Sequence, residues 1–407
     1  MTQPALTYSP PQPTELDALN RVIGTALYFS IDYMHGIFSD VGVENFRVVR
    51  RGGRVVGGVG LIPMGEWFGG ASIPMVGIST VGIAPDQRGT GVGRFMLSEV
   101  VHELYATGVP IAGLYPATQH FYRTVGFERA GSRIRYELPL EVTEVRLLPP
   151  TAPLEVIPVD VGDTAAYEQM KQVYTAFARS TNGLLDRIES RWQRSFEPIL
   201  QTEQSIVLRF LVLHEGQPEG YVVYTQTAFH EPLQVVDWAV TTPRAAHQLL
   251  RLFAGSRSTT DHVRWNGGLF DPLVYALREQ RFGLANARAS ILQHWDWMLR
   301  IVDLVRALSL RPYPPGLAGE LHLEVADDLL PANNGRFVLQ IADGRGMVER
   351  GGAGRLRLDI RDMAPLYSSF MTPHELRLIS TLDGLEPDMM LATAAFAGPR
   401  PWMSEIY

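Results

Sequence analysis

Apolar and polar positions alternate along this chain in two rhythms, and each change of rhythm marks a new element. Residues 14–36, opened by Pro13, Thr14 and Glu15, read as one or two helices. Three runs of strand character follow, at Phe46–Arg50, Arg54–Pro63 and Ile73–Ala84. The third is rich in Val, Ile and Gly and stops at Pro85, whose ring nitrogen has no hydrogen for a ladder. From about Gly91 to Thr107 the period lengthens. Val92, Phe95, Met96, Val100 and Leu104 recur at spacings of three and four, which places them on one face of a helix. A short apolar strand at Ile111–Tyr115, a short helix at Thr118–Thr124 and a strand at Ser132–Leu138 complete the unit.

The proline-studded segment Leu147–Pro153 marks a boundary. Beyond it the same order returns. Helices are predicted at Asp163–Ser180 and Leu185–Ser195, strands at Ser205–Leu213, Gly220–Ala228 and Leu233–Thr241, and a helix at Arg244–Phe253. A strand at His262–Trp265 and a helix near Pro272–Glu279 close this second unit. Val235–Pro243 resembles Met75–Pro85 in character: both are apolar strands that end in proline and lead into an amphipathic helix. This pattern is an internal duplication at low identity.

From about Ile291 the pattern changes again. A strand at Met298–Val302 leads into a helix near Leu304–Leu310, and short strands follow at Leu321–Val325, Arg336–Ile341 and Arg355–Ile360. Helices at Met363–Ser369, Pro373–Ser380 and Pro387–Phe396 then complete a separate α+β domain. The predicted domains are residues 1–146, 147–290 and 291–407. The last residues include Trp402, Ile406 and Tyr407, apolar where free tails are usually small and polar, so a docked terminus is expected.

Composition narrows the chemistry. The 407 residues suit two to four domains, and 46% hydrophobic with 19% charged residues is the balance of a soluble globular protein. No run approaches the ~18–20 apolar residues of a membrane span, and the N-terminus lacks the basic start and apolar core of a signal peptide. A cytoplasmic protein is expected. With no cysteine there is no disulfide, thiolate nucleophile or Cys-ligated metal. A net charge of −7 disfavours wrapping nucleic acid. Lys171, the sole lysine, sits in the polar helical stretch EQMKQVY, which excludes a Walker phosphate loop, a kinase strand lysine and a Schiff-base enzyme.

The chemistry concentrates in Val81–Gly93. A strand ends, a glycine-rich turn follows, and an amphipathic helix begins inside the turn. Backbone N–H groups of such a turn, with the helix N-terminus, form a socket for a pyrophosphate. Gly89, Gly91 and Gly93 let the backbone approach phosphates without a Cβ, and Arg88 adds a charge-assisted bond. A dinucleotide fingerprint would need glycine where Arg94 stands. A bare glycine triplet is also what an ordinary turn carries. Elsewhere, His374-Glu375 lacks the second histidine of a zinc helix, no Gly-x-Ser-x-Gly elbow occurs, and Trp295, Trp297 and Met298 read as core. No metal is expected.

Arg88-Gly-Thr-Gly-Val-Gly93 resembles the Arg/Gln-x-x-Gly-x-Gly/Ala motif of the GNAT acyltransferases, and Phe121-Tyr-Arg-Thr-Val-Gly-Phe127 resembles that family's second signature. With a degenerate second GNAT unit, the segment Gly335–Gly344 and an aromatic C-terminus, the chain resembles the Eis (enhanced intracellular survival) family of N-acetyltransferases across nearly its whole length. The resemblance implies tandem GNAT folds followed by a sterol-carrier-protein-like α+β domain. It implies acetyl-CoA as co-substrate, held by Val81, Gly82, Ile83, Arg88, Gly89, Thr90, Gly91, Val92, Gly93, Arg94, Ala117 and Thr118. It further implies Tyr122 as general acid at the coenzyme A sulfur and the Tyr407 carboxylate as general base. Phe29 and Asp32 match the region that lines the acceptor pocket, and the acceptor is a primary amine: aminoglycoside-like, polyamine or lysine.

A homo-hexamer is the implied assembly. The three glycines replace an arginine-rich turn, so cofactor contacts here should be more backbone and less side chain. The second unit has no glycine-rich turn between Pro243 and Leu249, so it should not bind coenzyme A. The competing reading from another class is a non-catalytic acyl-CoA or lipid carrier, which needs the turn but neither Tyr122 nor Tyr407.

Overall fold

The computed structural model describes residues 4–142, 154–198, 205–280 and 290–407, without the side chains of Ile31, Asp32, Val142 and Gln293. The Leu147–Pro153 connector lies outside the described residues. In chain order the first elements are β1 (Leu6–Ser9), α1 (Leu16–Leu27), α2 (Ile31–Val41), β2 (Phe46–Arg51), β3 (Arg54–Phe68), β4 (Ala71–Ile83) and α3 (Val92–Ala106). Then come β5 (Ile111–Leu114), α4 (Gln119–Arg123) and β6 (Glu128–Pro139). The second run has β7 (Glu155–Pro158), α5 (Thr164–Arg179), β8 (Leu185–Asp186), α6 (Glu189–Phe196), β9 (Ile206–His214) and β10 (Gln217–Gln226). It continues with β11 (Leu233–Val240), α7 (Pro243–Ala254), β12 (His262–Gly267) and α8 (Pro272–Ala276). The last run has β13 (Ser290–Ile301), α9 (Leu304–Leu310), β14 (Gly319–Ala326), β15 (Gly335–Ala342), β16 (Arg345–Arg350) and β17 (Leu356–Asp359). It ends with α10 (Ile360–Tyr367), α11 (Pro373–Arg377), β18 (Asp383–Gly384) and α12 (Glu386–Ala395).

These elements form two compact units. One comprises Met1–Gly131, Asp296–Gly398 and Glu405–Tyr407; the other comprises Ser132–Trp295 and Pro399–Ser404. In the first unit the strands run in the order β1-β2-β3-β4-β5-β13, all antiparallel except the β4–β5 pair. Helices cover both faces, and glycines in the strands decide how close they come. A Cβ on Gly58 would meet Leu19 of α1, and one on Gly82 would lie 2.8 Å from the Ile23 Cα. On the other face α3 buries Val92, Met96, Leu97, Val100, Val101 and Leu104, the stripe its spacing predicts. The same unit holds a five-stranded sheet, β16-β15-β14-β17-β18, made by the C-terminal residues. In the second unit the order β6-β12-β11-β10-β9-β7 repeats the pattern of antiparallel hairpins with one parallel pair, β11–β12.

Besides β7, β18 and the start of β13 at Ser290, which the sequence reading did not contain, four elements differ from it for identifiable reasons. β3 passes Pro63 and runs to Phe68, because Gly69 (φ +59°) and Gly70 (φ +89°) close a two-residue hairpin into β4. β16 was not predicted; its hairpin turn is Asp343-Gly344, both at positive φ, and its side chains are largely exposed. β1 is a four-residue edge strand. Where a helix was expected from Leu185, Leu185–Asp186 is extended and α6 starts at Glu189.

Candidate active site

β4 and β5 pair at three positions, Met75–Gly77 with Ile111–Gly113. Beyond them β4 keeps β3 as its partner but leaves β5, so its other edge opens into a V. The opening is helped by a bulge: Ser79 pairs with Gly60 and Gly82 with Gly58, which leaves Thr80 and Val81 opposite one residue. Thr80 sits at φ +51°, and its buried hydroxyl has no hydrogen-bond partner. A left-handed backbone at a non-glycine residue costs about 1–2 kcal/mol. Such strain concentrates at functional clefts.

At the open end of the V the chain makes its glycine turn. Two arginines from the β2–β3 hairpin hold it. The Arg51 guanidinium donates to Gln87 Oε1 (2.7 Å) and to Thr90, and Arg54 forms a two-bond pair with Asp86 (2.7 and 2.8 Å). Gly89 (φ +74°) and Gly91 (φ +86°) take the left-handed conformations that favour glycine, with open space where a Cβ would stand. Gly91 is the N-cap of α3 and has no side chain to cap it, so the first-turn N–H groups of Val92, Gly93 and Arg94 face outward unspent. They carry the positive end of a fifteen-residue helix. Gly93 serves a different purpose: its Cβ would lie 2.8 Å from Phe121 Cζ, so glycine there lets α4 approach α3.

The turn, the β4 edge and α4 enclose a cavity of about 650 Å³. Its walls contain the predicted Val81, Ile83, Arg88, Gly89, Gly91, Gly93, Arg94, Ala117, Thr118 and Tyr122. Arg88 and Arg94 are exposed and have no carboxylate partner among the described residues, so the cavity presents two cations beside an open helix N-terminus. An anionic phosphate chain fits that donor set. Tyr122 is buried, and burial pushes its phenol up to about 12, so it holds its proton through neutral pH.

Of the twelve residues predicted to hold the coenzyme, three are placed away from the cavity wall. Gly82 faces α1. Thr90 ties the turn, its hydroxyl donating to the Gln87 carbonyl while accepting from Arg51. The Val92 side chain lies in the core. Phe29 lies between α1 and α2, its ring 4.8 Å from that of Tyr33, and is not a wall residue. Asp32 is the second residue of α2, with its side chain outside the described residues.

Tyr407 sits at the closed end of the V. A Cβ on Gly77 would fall 2.6 Å from its Cε2, and one on Gly113 2.7 Å from its hydroxyl oxygen. The ring therefore lies close against the last paired positions of β4 and β5, with Tyr115 edge-on at 6.3 Å. Sequence reasoning missed this platform, the strained Thr80, the clamp by Arg51 and Arg54, and the wall residues Ala26, Leu27, Gln87 and Phe121. The glycines at 77 and 113 were the available signal, since glycine inside a strand often marks a close approach.

Comparison with known proteins agrees with this geometry. Residues 10–130 and residues 183–301 each match an acetyltransferase (GNAT) domain, and residues 304–404 match a sterol carrier protein domain. The chain superposes with a TM-score of 0.90 on the crystal structure of a GCN5-related N-acetyltransferase from Anabaena variabilis, at 34% identity over 99% of this chain and 100% of that one. An "Uncharacterized N-acetyltransferase" of Streptomyces avermitilis is 25% identical over 358 residues, 82% of each chain. "N-acetyltransferase Eis" of Mycobacterium tuberculosis is 26% identical over 313 residues, 72% of this chain and 71% of that one. The chain belongs to the GCN5-related N-acetyltransferases, as an Eis-like member with two GNAT domains and a C-terminal sterol carrier protein domain.

Proposed function

We propose that the first GNAT domain moves an acetyl group from acetyl-CoA to a primary amine by direct attack. The observation that carries this reading is the convergence, on one cavity, of an uncapped helix N-terminus, two exposed arginines, a strand edge that β5 leaves and a protonated buried tyrosine. The coenzyme's phosphates suit Arg88, Arg94 and the N–H groups of α3. Its amide arm suits the open edge at Val81 and Ile83, where backbone donors and acceptors lack a strand. The chemistry needs no enzyme nucleophile. The amine lone pair forms the C–N bond and the carbonyl electrons move to oxygen. The oxygen's pair then re-forms the carbonyl as the C–S bond breaks, with that bond's pair leaving on sulfur.

Two proton steps complete the balance. The nitrogen's proton goes to the Tyr407 carboxylate, and the Tyr122 hydroxyl gives a proton to the departing sulfur. Backbone N–H near Ile83 holds the developing oxyanion. The test is thiol release from acetyl-CoA with a panel of polyamines, aminoglycosides and lysine peptides. At least one amine should give turnover. Saturable acetyl-CoA binding without thiol release from any amine would replace this reading with the non-catalytic carrier.

A further inference from the structure

The second GNAT domain contains a cavity of about 820 Å³, larger than the first domain's 650 Å³. It occupies the corresponding place. β11 and β12 are parallel and pair only at Leu233–Gln234 with Val263–Arg264, so they too splay apart. The walls come from α5, the β11–α7 junction and α8, as the first cavity's come from α1, the β4–α3 turn and α4. Even a tyrosine recurs in register: Tyr275 is the fourth residue of α8, as Tyr122 is of α4.

The chemistry of the walls differs. Aromatic rings dominate, from Phe177, Phe270, Tyr275 and Trp402. Phe270 and Tyr275 stack on each other at 5.0 Å while 62% and 45% exposed, an uncovered apolar pair on this wall. The serine and threonine hydroxyls in the wall have spent their protons inside the protein. Ser180 and Thr181 donate to the Phe177 carbonyl, Thr241 to the Glu219 carbonyl and Thr242 to the Glu219 carboxylate. Among the described residues no Asp or Glu lines the cavity, and its basic side chains are Arg400 and His247. A phosphate cradle is missing too. Two residues join β11 to α7, Pro243 supplies no N–H, and Thr242 caps Ala245 N at 3.2 Å.

We propose that this cavity binds an apolar carboxylic acid of drug size, with its hydrocarbon or ring body against the aromatic wall and its carboxylate on Arg400. The volume lies within the roughly 300–1,000 Å³ of small-molecule sites. A nucleotide has no cradle here, and an amine has no anion to meet. The site thus takes a ligand of opposite charge from the acceptor proposed for the first domain.

Decanoate is the probe, titrated calorimetrically into the full chain beside decanol. Saturable decanoate binding is expected, tighter than decanol. Phe270→Asp should weaken it about tenfold or more by putting a charge on the apolar wall. Arg400→Glu should weaken decanoate by a similar factor and leave decanol unchanged. Should Phe270→Asp fail to fold, Tyr275→Ser at an exposed position makes the same test. The proposal is overturned by an absence of saturable binding, or by decanoate affinity that these wall variants leave unaltered, which places the acid elsewhere in the chain. Equal binding of decanol and decanoate overturns the role of Arg400.

Discussion

The two GNAT domains share an architecture and differ at one junction. In the first, eight residues (Ala84 to Gly91) separate the splayed strand from its helix; in the second, Thr241 and Thr242 do. The long junction leaves α3 uncapped, with Arg88 in the junction and Arg94 in the first turn of α3 both exposed. The short one caps α7 with a threonine and begins it with proline. A helix N-terminus binds a ligand's anion only where the protein has not already satisfied it. Both domains keep the V between parallel strands, so the V is a property of the fold, and the open anion-binding geometry beside it is a property of the loop.

The comparison breaks most sharply at the closed end of the first V. Deleting Tyr407, or appending residues after it, should lower turnover by about 10²-fold or more, the scale of a general base, with acetyl-CoA affinity unchanged. Tyr407→Phe keeps the carboxylate and the ring and loses only the hydroxyl, so it should retain most activity. The platform sharpens the test. Gly77→Ala places a Cβ 2.6 Å from the ring and should displace it, so turnover should fall while coenzyme binding holds. A C-terminally tagged enzyme that works as fast as the cleanly terminated one would remove the carboxylate from the mechanism.

Tyr122 gives a pH signature. Burial disfavours its phenolate, so its pKa rises from 10 to about 12, and the donor is lost only as pH climbs toward 12. The alkaline side of the turnover profile should therefore stay flat past pH 10, where an exposed phenol would already be half ionised. A fall centred at 10 would assign the proton to another group. At the cradle, Arg88→Gln and Arg94→Gln should each weaken acetyl-CoA by about tenfold, the loss of one charge-assisted bond. Gly91→Val is the harsher variant. At φ +86° a β-branched residue is strained whatever the ligand does, so its effect on affinity must be read beside its unfolding midpoint.

Much of this site was legible because its signal is local. Arg88-Gly-Thr-Gly-Val-Gly93 and Phe121–Phe127 place turn, helix and tyrosine within short stretches, and nine of the twelve residues assigned to the coenzyme line one cavity. What stayed hidden depends on pairing between distant residues. Gly77 and Gly113 read as weak points in strands until Tyr407, 294 positions beyond Gly113, settles on them. Thr80 reads as an ordinary strand residue, because a bulge is decided by the partner strand's register. The β3 extension hid behind Pro63, which looked like an end, although Gly69-Gly70 carried the hairpin signal. The second cavity was hidden for the same reason, since its aromatic wall is assembled from positions 177, 270, 275 and 402.

The smallest expected effect tests the junction itself. Thr242→Ala removes the side-chain oxygen that accepts from Ala245 N at 3.2 Å, along with the hydroxyl that donates to Glu219 at 2.6 Å. Glu219 keeps Arg244 as a partner, so the dominant loss is the cap. A cap deletion costs about 1 kcal/mol. That should appear as a lower unfolding midpoint in denaturant with an unchanged slope. Acetyl-CoA affinity should not change, although the variant frees the N-terminus of α7. Two residues are too short a connection to wrap a phosphate, and Pro243 still withholds the first N–H. If uncapping α7 instead created a second acetyl-CoA site, the cap and not the loop would be what separates the two domains.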